Sequence, residues 1–164
     1  MVDTGKIITL VSSDGDKIQI SEKASKRSNL IKGILDDYPD EPEVPLHNVK
    51  SSILRKIVEY LENYKEKEPR EIERPLPSNN LNEAIDSWDY QYIDLELEII
   101  FEIILAANYM DIRPLMDLAC SKVASIIKGK SPEEIRKVFN IQNDFTPEEE
   151  AQIREENQWC MENL

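Results

Sequence analysis

A single histidine (His47), two cysteines (Cys120 and Cys160) and 33 acidic residues are what this 164-residue chain offers as base, nucleophile or metal ligand. A nucleophilic triad needs a positioned base and an orienting group. His47 lies in Pro45-Leu46-His47-Asn48, between a proline cluster and a helical stretch, with neither a poised nucleophile nor an orienting carboxylate to pick out. Cys120 falls within an apolar helical stripe and reads as a small core residue. Cys160, beside Trp159, carries no mark of a low-pKa thiol. A structural zinc usually takes four Cys or His ligands at short spacing, and this chain has three such residues in all. Asp36-Asp37 and Glu148-Glu149-Glu150 read as solvated surface and as helix N-terminal charge, not as an acid/base pair. The glycines at 5, 15, 33 and 129 are too scattered to cradle a phosphate. The expectation is a protein that is not an enzyme and uses no cofactor or metal.

The composition narrows the class of partner. Twenty basic against 33 acidic residues leave a formal charge of -13, which repels nucleic acid and anionic lipid surfaces. At 40% hydrophobic residues the chain is too apolar to be disordered throughout, and its length allows one domain with an appendage or two very small ones. The N-terminus lacks the basic-apolar-small order of a signal peptide, and the longest apolar run, Ile103 to Ala107, is far too short to span a bilayer. Two thiols without a signal peptide indicate a reducing compartment. A soluble intracellular protein is expected.

These residues must be positioned by a small set of elements. Between Lys6 and Ser21, two alternating apolar segments flank Ser13-Asp14-Gly15-Asp16, whose Asp-Gly step favours a hairpin. Ser28 can cap a short helix carrying Leu30, Ile31, Ile34 and Leu35, ended by Pro39, Pro42 and Pro45. Val44 to Val49 suits a third strand. From Ser51 or Ser52, Ile53, Leu54, Ile57, Val58, Leu61 and Tyr64 follow an amphipathic helical stripe. Lys65 to about Asn82 turns to alternating charge and three prolines, and reads as an exposed, mobile insert. Order returns at Trp88, and Leu95 to Ala107, apolar on nearly every side, predicts a central buried helix. A further stripe from Ile112 to Ile127, with Pro114 near its start, closes at Gly129.

Beyond Gly129 one grammar repeats: Ser131-Pro132-Glu133-Glu134 and Thr146-Pro147-Glu148-Glu149 each place a hydroxyl at N-cap, proline at N1 and glutamate at N3. The helix from Pro147 to about Met161 has little beyond Ala151, Ile153, Trp159, Cys160 and Met161 to bury. A helix so polar is weakly held by its own domain, so a partner is expected to supply the missing surface.

Several stretches in register carry a family resemblance: Ile103 to Ile112 with Asn108-Tyr109, Ile126 to Lys137, Phe139 to Phe145, Glu156 to Cys160, Ser12 to Gly15, Val44 to Val49 and Trp88-Asp89. Over residues 6 to 162 the chain strongly resembles the S-phase kinase-associated protein one family, the adaptors of cullin-type ubiquitin ligases. It departs from the family pattern at His47, where a second proline is usual, in the 65–82 insert, and at Tyr60-Leu61.

The resemblance implies an α/β fold: a BTB/POZ-type domain with a small sheet and surrounding helices over residues 1–128, and a C-terminal extension of two to three helices over 129–164. It implies a non-catalytic adaptor bridging a cullin scaffold to F-box proteins for ubiquitination, in cytoplasm and nucleus. The alternative is an F-box scaffold in a cullin-free assembly, such as a kinetochore or membrane-recycling complex. By the same resemblance Asn108 and Tyr109, with the strand residues Val44 and Leu46, face the cullin. Phe139, Ile141, Asn143, Phe145, Asn157, Trp159 and Cys160 face the F-box. No nucleic acid or membrane is expected as a partner, and weak homodimerisation of the unbound chain is left open.

Overall fold

The computed structural model describes residues 5–39 and 43–158. Strands β1 (Ile7–Ser12) and β2 (Lys17–Ser21) form the expected hairpin, pairing antiparallel with Leu10 opposite Ile18 and Ile8 opposite Ile20. Gly15, at φ +86°, makes the reversal, and its N–H donates to the Ser12 carbonyl at 3.0 Å. After the single turn α1 (Glu22–Ser25), the Ser28 side chain accepts the Ile31 N–H to cap α2 (Asn29–Asp37). Strand β3 (Glu43–Leu46) then pairs parallel to β1, giving the sheet order β2-β1-β3.

Helix α3 (Ser51–Asn63) buries Ile53, Leu54, Ile57, Tyr60 and Leu61. Its N-terminus is held by the hairpin turn: Asp14 accepts the Ser51 backbone N–H at 2.9 Å and the Ser51 hydroxyl at 2.7 Å. The short helices α4 (Leu81–Ala84) and α5 (Ser87–Tyr92) lead to α6 (Leu97–Tyr109) and α7 (Arg113–Ile127). No described helix is long and apolar enough to cross a membrane.

The segment between α3 and α4 holds no helix or strand and is mostly exposed, as its charges predict, but two of its apolar residues tether it to the domain. Ile72 and Leu76 are half-buried against the core, and Arg74 forms an ion pair with Asp117 of α7 at 2.5 Å. Two apolar residues among many charges give no periodic signal, so only their tertiary contact reveals them. Cys120, expected in the core, is exposed on α7, which buries Leu115, Leu118, Ala119 and Ser121 instead. The stripe lies one position to either side of the cysteine.

Two compact units emerge, residues 1–125 and 126–164. The second holds α8 (Pro132–Val138) and α9 (Pro147–Glu156), both opened by complete capping boxes on Ser131 and Thr146, and neither containing a buried residue. The three-stranded sheet with its surrounding helices, and the separate C-terminal helices, give the expected α/β class.

Candidate docking surfaces

Helix α6 carries the first surface. Its inner face buries Ile100, Ile103, Ala106 and Ala107, while Phe101 is 40% and Leu105 69% exposed. Phe101 and Leu105, four residues apart, share one outward stripe with exposed Asn108 alongside, while Tyr109, the next position on that stripe, is half-buried and packs partly against the core. Across from the stripe, Lys50 donates to Glu102 at 3.0 Å, and Asn48, Lys50, Ile53, Leu105 and Tyr109 line a depression of about 440 Å³.

The end of this stripe is fixed in place. The Ser28 hydroxyl, fully buried, donates to the Met110 carbonyl at 2.6 Å, the Met110 N–H bonds back to Ala106, and Asp111 turns the chain at φ +50°. One serine therefore caps α2 and anchors the C-terminus of α6, holding Asn108 and Tyr109 on a rigid element.

Val44 and Leu46 require a correction. The period-2 alternation of β3 turns both side chains into the core, fully buried, and leaves Pro45 outside. Exposed His47 and Asn48 follow the strand. Val44 and Leu46 belong to the core and present no side chain to a partner. Phe101 and Leu105, by contrast, give no sequence signal of their own. A helix apolar on every side reads as buried, and only the packing shows that one of its sides is uncovered.

An aromatic cluster joins the end of α3 to α5. Tyr60 sits 4.8 Å from Tyr64 and 5.6 Å from Tyr92 by ring centroids, and Trp88 stacks on Tyr92 at 5.1 Å. Asp89, only 5% exposed, accepts the Tyr64 hydroxyl at 2.7 Å. Burial raises its pKa above the ordinary value, outweighing the lowering by that hydrogen bond. The Tyr64 hydroxyl is likewise pushed up, by burial and by Asp89.

The C-terminal unit carries the second surface. Ile141 is 55% and Phe145 45% exposed, Phe139 is half-buried, and Asn140 turns the chain after α8 at φ +51°. A pocket of about 300 Å³ is lined by the apolar parts of Pro132, Ile135, Phe145 and Ile153 together with Arg136 and Arg154. Asn143 is a connector: its Nδ2 donates to Glu150 at 2.8 Å and its Oδ1 accepts the Phe145 N–H at 3.3 Å. The Asn157 side chain donates to the Ile153 carbonyl at 2.8 Å, closing the end of α9. Trp159 and Cys160 lie outside the described residues.

Partial desolvation and the Asp117 carboxylate hold the Cys120 thiol above its ordinary pKa, the opposite of an activated nucleophile. Among the described residues no group of three or more His, Cys, Asp or Glu side chains could hold a metal ion.

Comparison with known proteins adds the family. Residues 6–66 match the model described as "Skp1 family, tetramerisation domain", and residues 113–160 the one described as "Skp1 family, dimerisation domain". The chain is 55% identical over 156 residues to the S-phase kinase-associated protein 1 homolog of Tetrahymena thermophila, covering 94% of each. It is 51% identical over 156 residues to the E3 ubiquitin ligase complex SCF subunit sconC of Arthroderma benhamiae, covering 94% of this chain and 95% of that one. The sconC protein of Talaromyces marneffei is 48% identical over 154 residues, 93% of this chain and 96% of the relative. With matches to both family domains and near full-length identity, this chain belongs to the Skp1 family.

Proposed function

We propose that this chain is a non-catalytic adaptor of an SCF-type ubiquitin ligase, bridging a cullin scaffold to F-box substrate receptors in cytoplasm and nucleus. The observation that carries the reading is the pairing of two exposed apolar surfaces on separate compact units, in a chain whose relatives are named as SCF subunits. Phe101, Leu105, Asn108 and Tyr109 form the cullin face, on a domain spanning residues 1–128. Phe139, Ile141, Asn143 and Phe145 form the receptor face on the 129–164 extension, together with Asn157, Trp159 and Cys160.

An adaptor of this kind acts by geometry. It raises the effective concentration of a receptor-bound substrate near catalytic machinery on other subunits. Affinity at each face should come from a few apolar anchors, with the surrounding charge governing partner choice and encounter rate. The test is native pull-down of the tagged chain followed by mass spectrometry. The reading expects a cullin and F-box proteins in the eluate, with the cullin alone lost when Asn108 and Tyr109 are both changed to Ala. F-box proteins without any cullin would contradict it and support a cullin-free scaffold.

A further inference from the structure

Helix α9 inverts the usual arrangement of a docked helix. All of its residues are exposed except Glu150, so its most enclosed side chain is a carboxylate rather than an apolar group. One oxygen of that carboxylate, Oε1, accepts from Arg136 Nη1 at 3.3 Å and from Asn143 Nδ2 at 2.8 Å. The three residues belong to α8, the connector and α9, so a single atom ties together every part of the C-terminal unit's apolar pocket. The Arg136 and Glu150 side chains are 23% and 32% exposed, whereas the second ion pair between these helices, Arg154 to Glu133, is 67% and 49% exposed. Water screens that outer pair much more than the inner one.

The ties converge on Phe145. Asn143, held through its amide nitrogen by Glu150, uses its amide oxygen to accept the Phe145 N–H, while the Arg136 guanidinium lies 5.7 Å from the centre of the Phe145 ring. The ring is thus fixed at the pocket on both its backbone and its side-chain side. Neither helix has a buried residue of its own to do this work.

We propose that Glu150 is a positioning residue for receptor docking. By holding Arg136 and Asn143 on one oxygen, it pre-forms the pocket and the Phe145 ring that an apolar partner side chain meets, so the ordering is complete before the partner arrives. The inference rests on the receptor-docking reading of this surface and adds to it the group that assembles the surface. Glu150 itself need not touch the partner.

Glu150→Ala removes both ties and, with them, one of the three first-turn carboxylates that favour the start of α9; Glu148 and Glu149 and the high helix propensity of alanine keep that cost small. Glu150→Gln keeps an amide oxygen able to accept from Asn143 and Arg136, losing only the charge. The full-length chain is titrated with a recombinant F-box segment from a receptor that co-purifies with it, and hydrogen exchange at the Phe145 amide is followed in the free chain. Glu150→Ala is expected to weaken binding about tenfold and to bring Phe145 exchange to the rate of an unprotected amide, with Glu150→Gln within about threefold of wild type in both. Asn143→Ala should reproduce the loss of amide protection. If wild type binds and Phe145→Ala weakens binding while Glu150→Ala changes neither affinity nor exchange, the positioning role is overturned. Equal losses for the Ala and Gln variants would also overturn it, since the oxygen would then not be what matters. Failure of the wild-type chain to bind any F-box segment would instead refute the receptor-docking reading, and the positioning role with it.

Discussion

Leu105→Ala isolates the α6 face, because Leu105 is the most exposed of the large apolar side chains on α6 and contributes little to the core. Fully burying a leucine stabilises by about 1.5–3 kcal/mol. With 69% of Leu105 uncovered in the free chain, a partner that covers it can gain about 1–2 kcal/mol, which corresponds to a weakening of about five- to thirtyfold on truncation. The same substitution should alter folding stability by only about 0.5 kcal/mol or less, as for other surface positions, and alanine suits a helix. The assay is calorimetric titration with a recombinant cullin N-terminal domain, paired with urea unfolding. Lys50→Ala, which breaks the neighbouring pair with Glu102, is the control: a rim charge should change mainly the salt dependence and the association rate. Cullin affinity within about twofold of wild type for Leu105→Ala, with unfolding unchanged, would refute the assignment of this face, because an anchor this exposed must lose its covered area on truncation.

Two further outcomes concern the N-terminal unit. Asp89 has its pKa raised above the ordinary 3.8 by burial, so folding takes up a proton and stability falls as pH rises through the raised value. Asp89→Asn should remove that loss, so its advantage over wild type in melting temperature should grow from acid toward neutral pH; parallel curves for the two proteins would show that Asp89 does not titrate in this window. Ile72→Ala with Leu76→Ala should destabilise by about 2 kcal/mol in urea, because both are half-buried against the core. An unchanged midpoint would mean that the segment between α3 and α4 contributes nothing to the fold.

The parts legible in the sequence are those fixed by neighbours along the chain. The Asp14-Gly15 hairpin, the α3 stripe and both capping boxes depend on residues within a few positions of one another, and each lies where the spacing places it. What escaped was set by tertiary contact. Cys120 sits in an apolar run, yet the helix rotates it outward. The strand expected over Val44 to Val49 ends at Leu46, and which of its sides meets the core depends on pairing with β1. The 65–82 segment shows charge in its composition and hides two core contacts. For the docking surfaces, Asn108, Tyr109, Ile141 and Phe145 were named through the family likeness. Leu105 was masked by the uniform hydrophobicity of α6, and Glu150 by pairing partners seven and fourteen residues away.

A bridging adaptor must hold both partners at once, on two independent surfaces. Native mass spectrometry of the chain mixed with a cullin N-terminal domain and an F-box segment tests it most directly. Bridging predicts a single 1:1:1 species, with the affinity for either partner unchanged by saturation with the other. Two binary complexes that exclude one another, with no ternary mass at any ratio, would contradict it and reduce the two surfaces to one shared site.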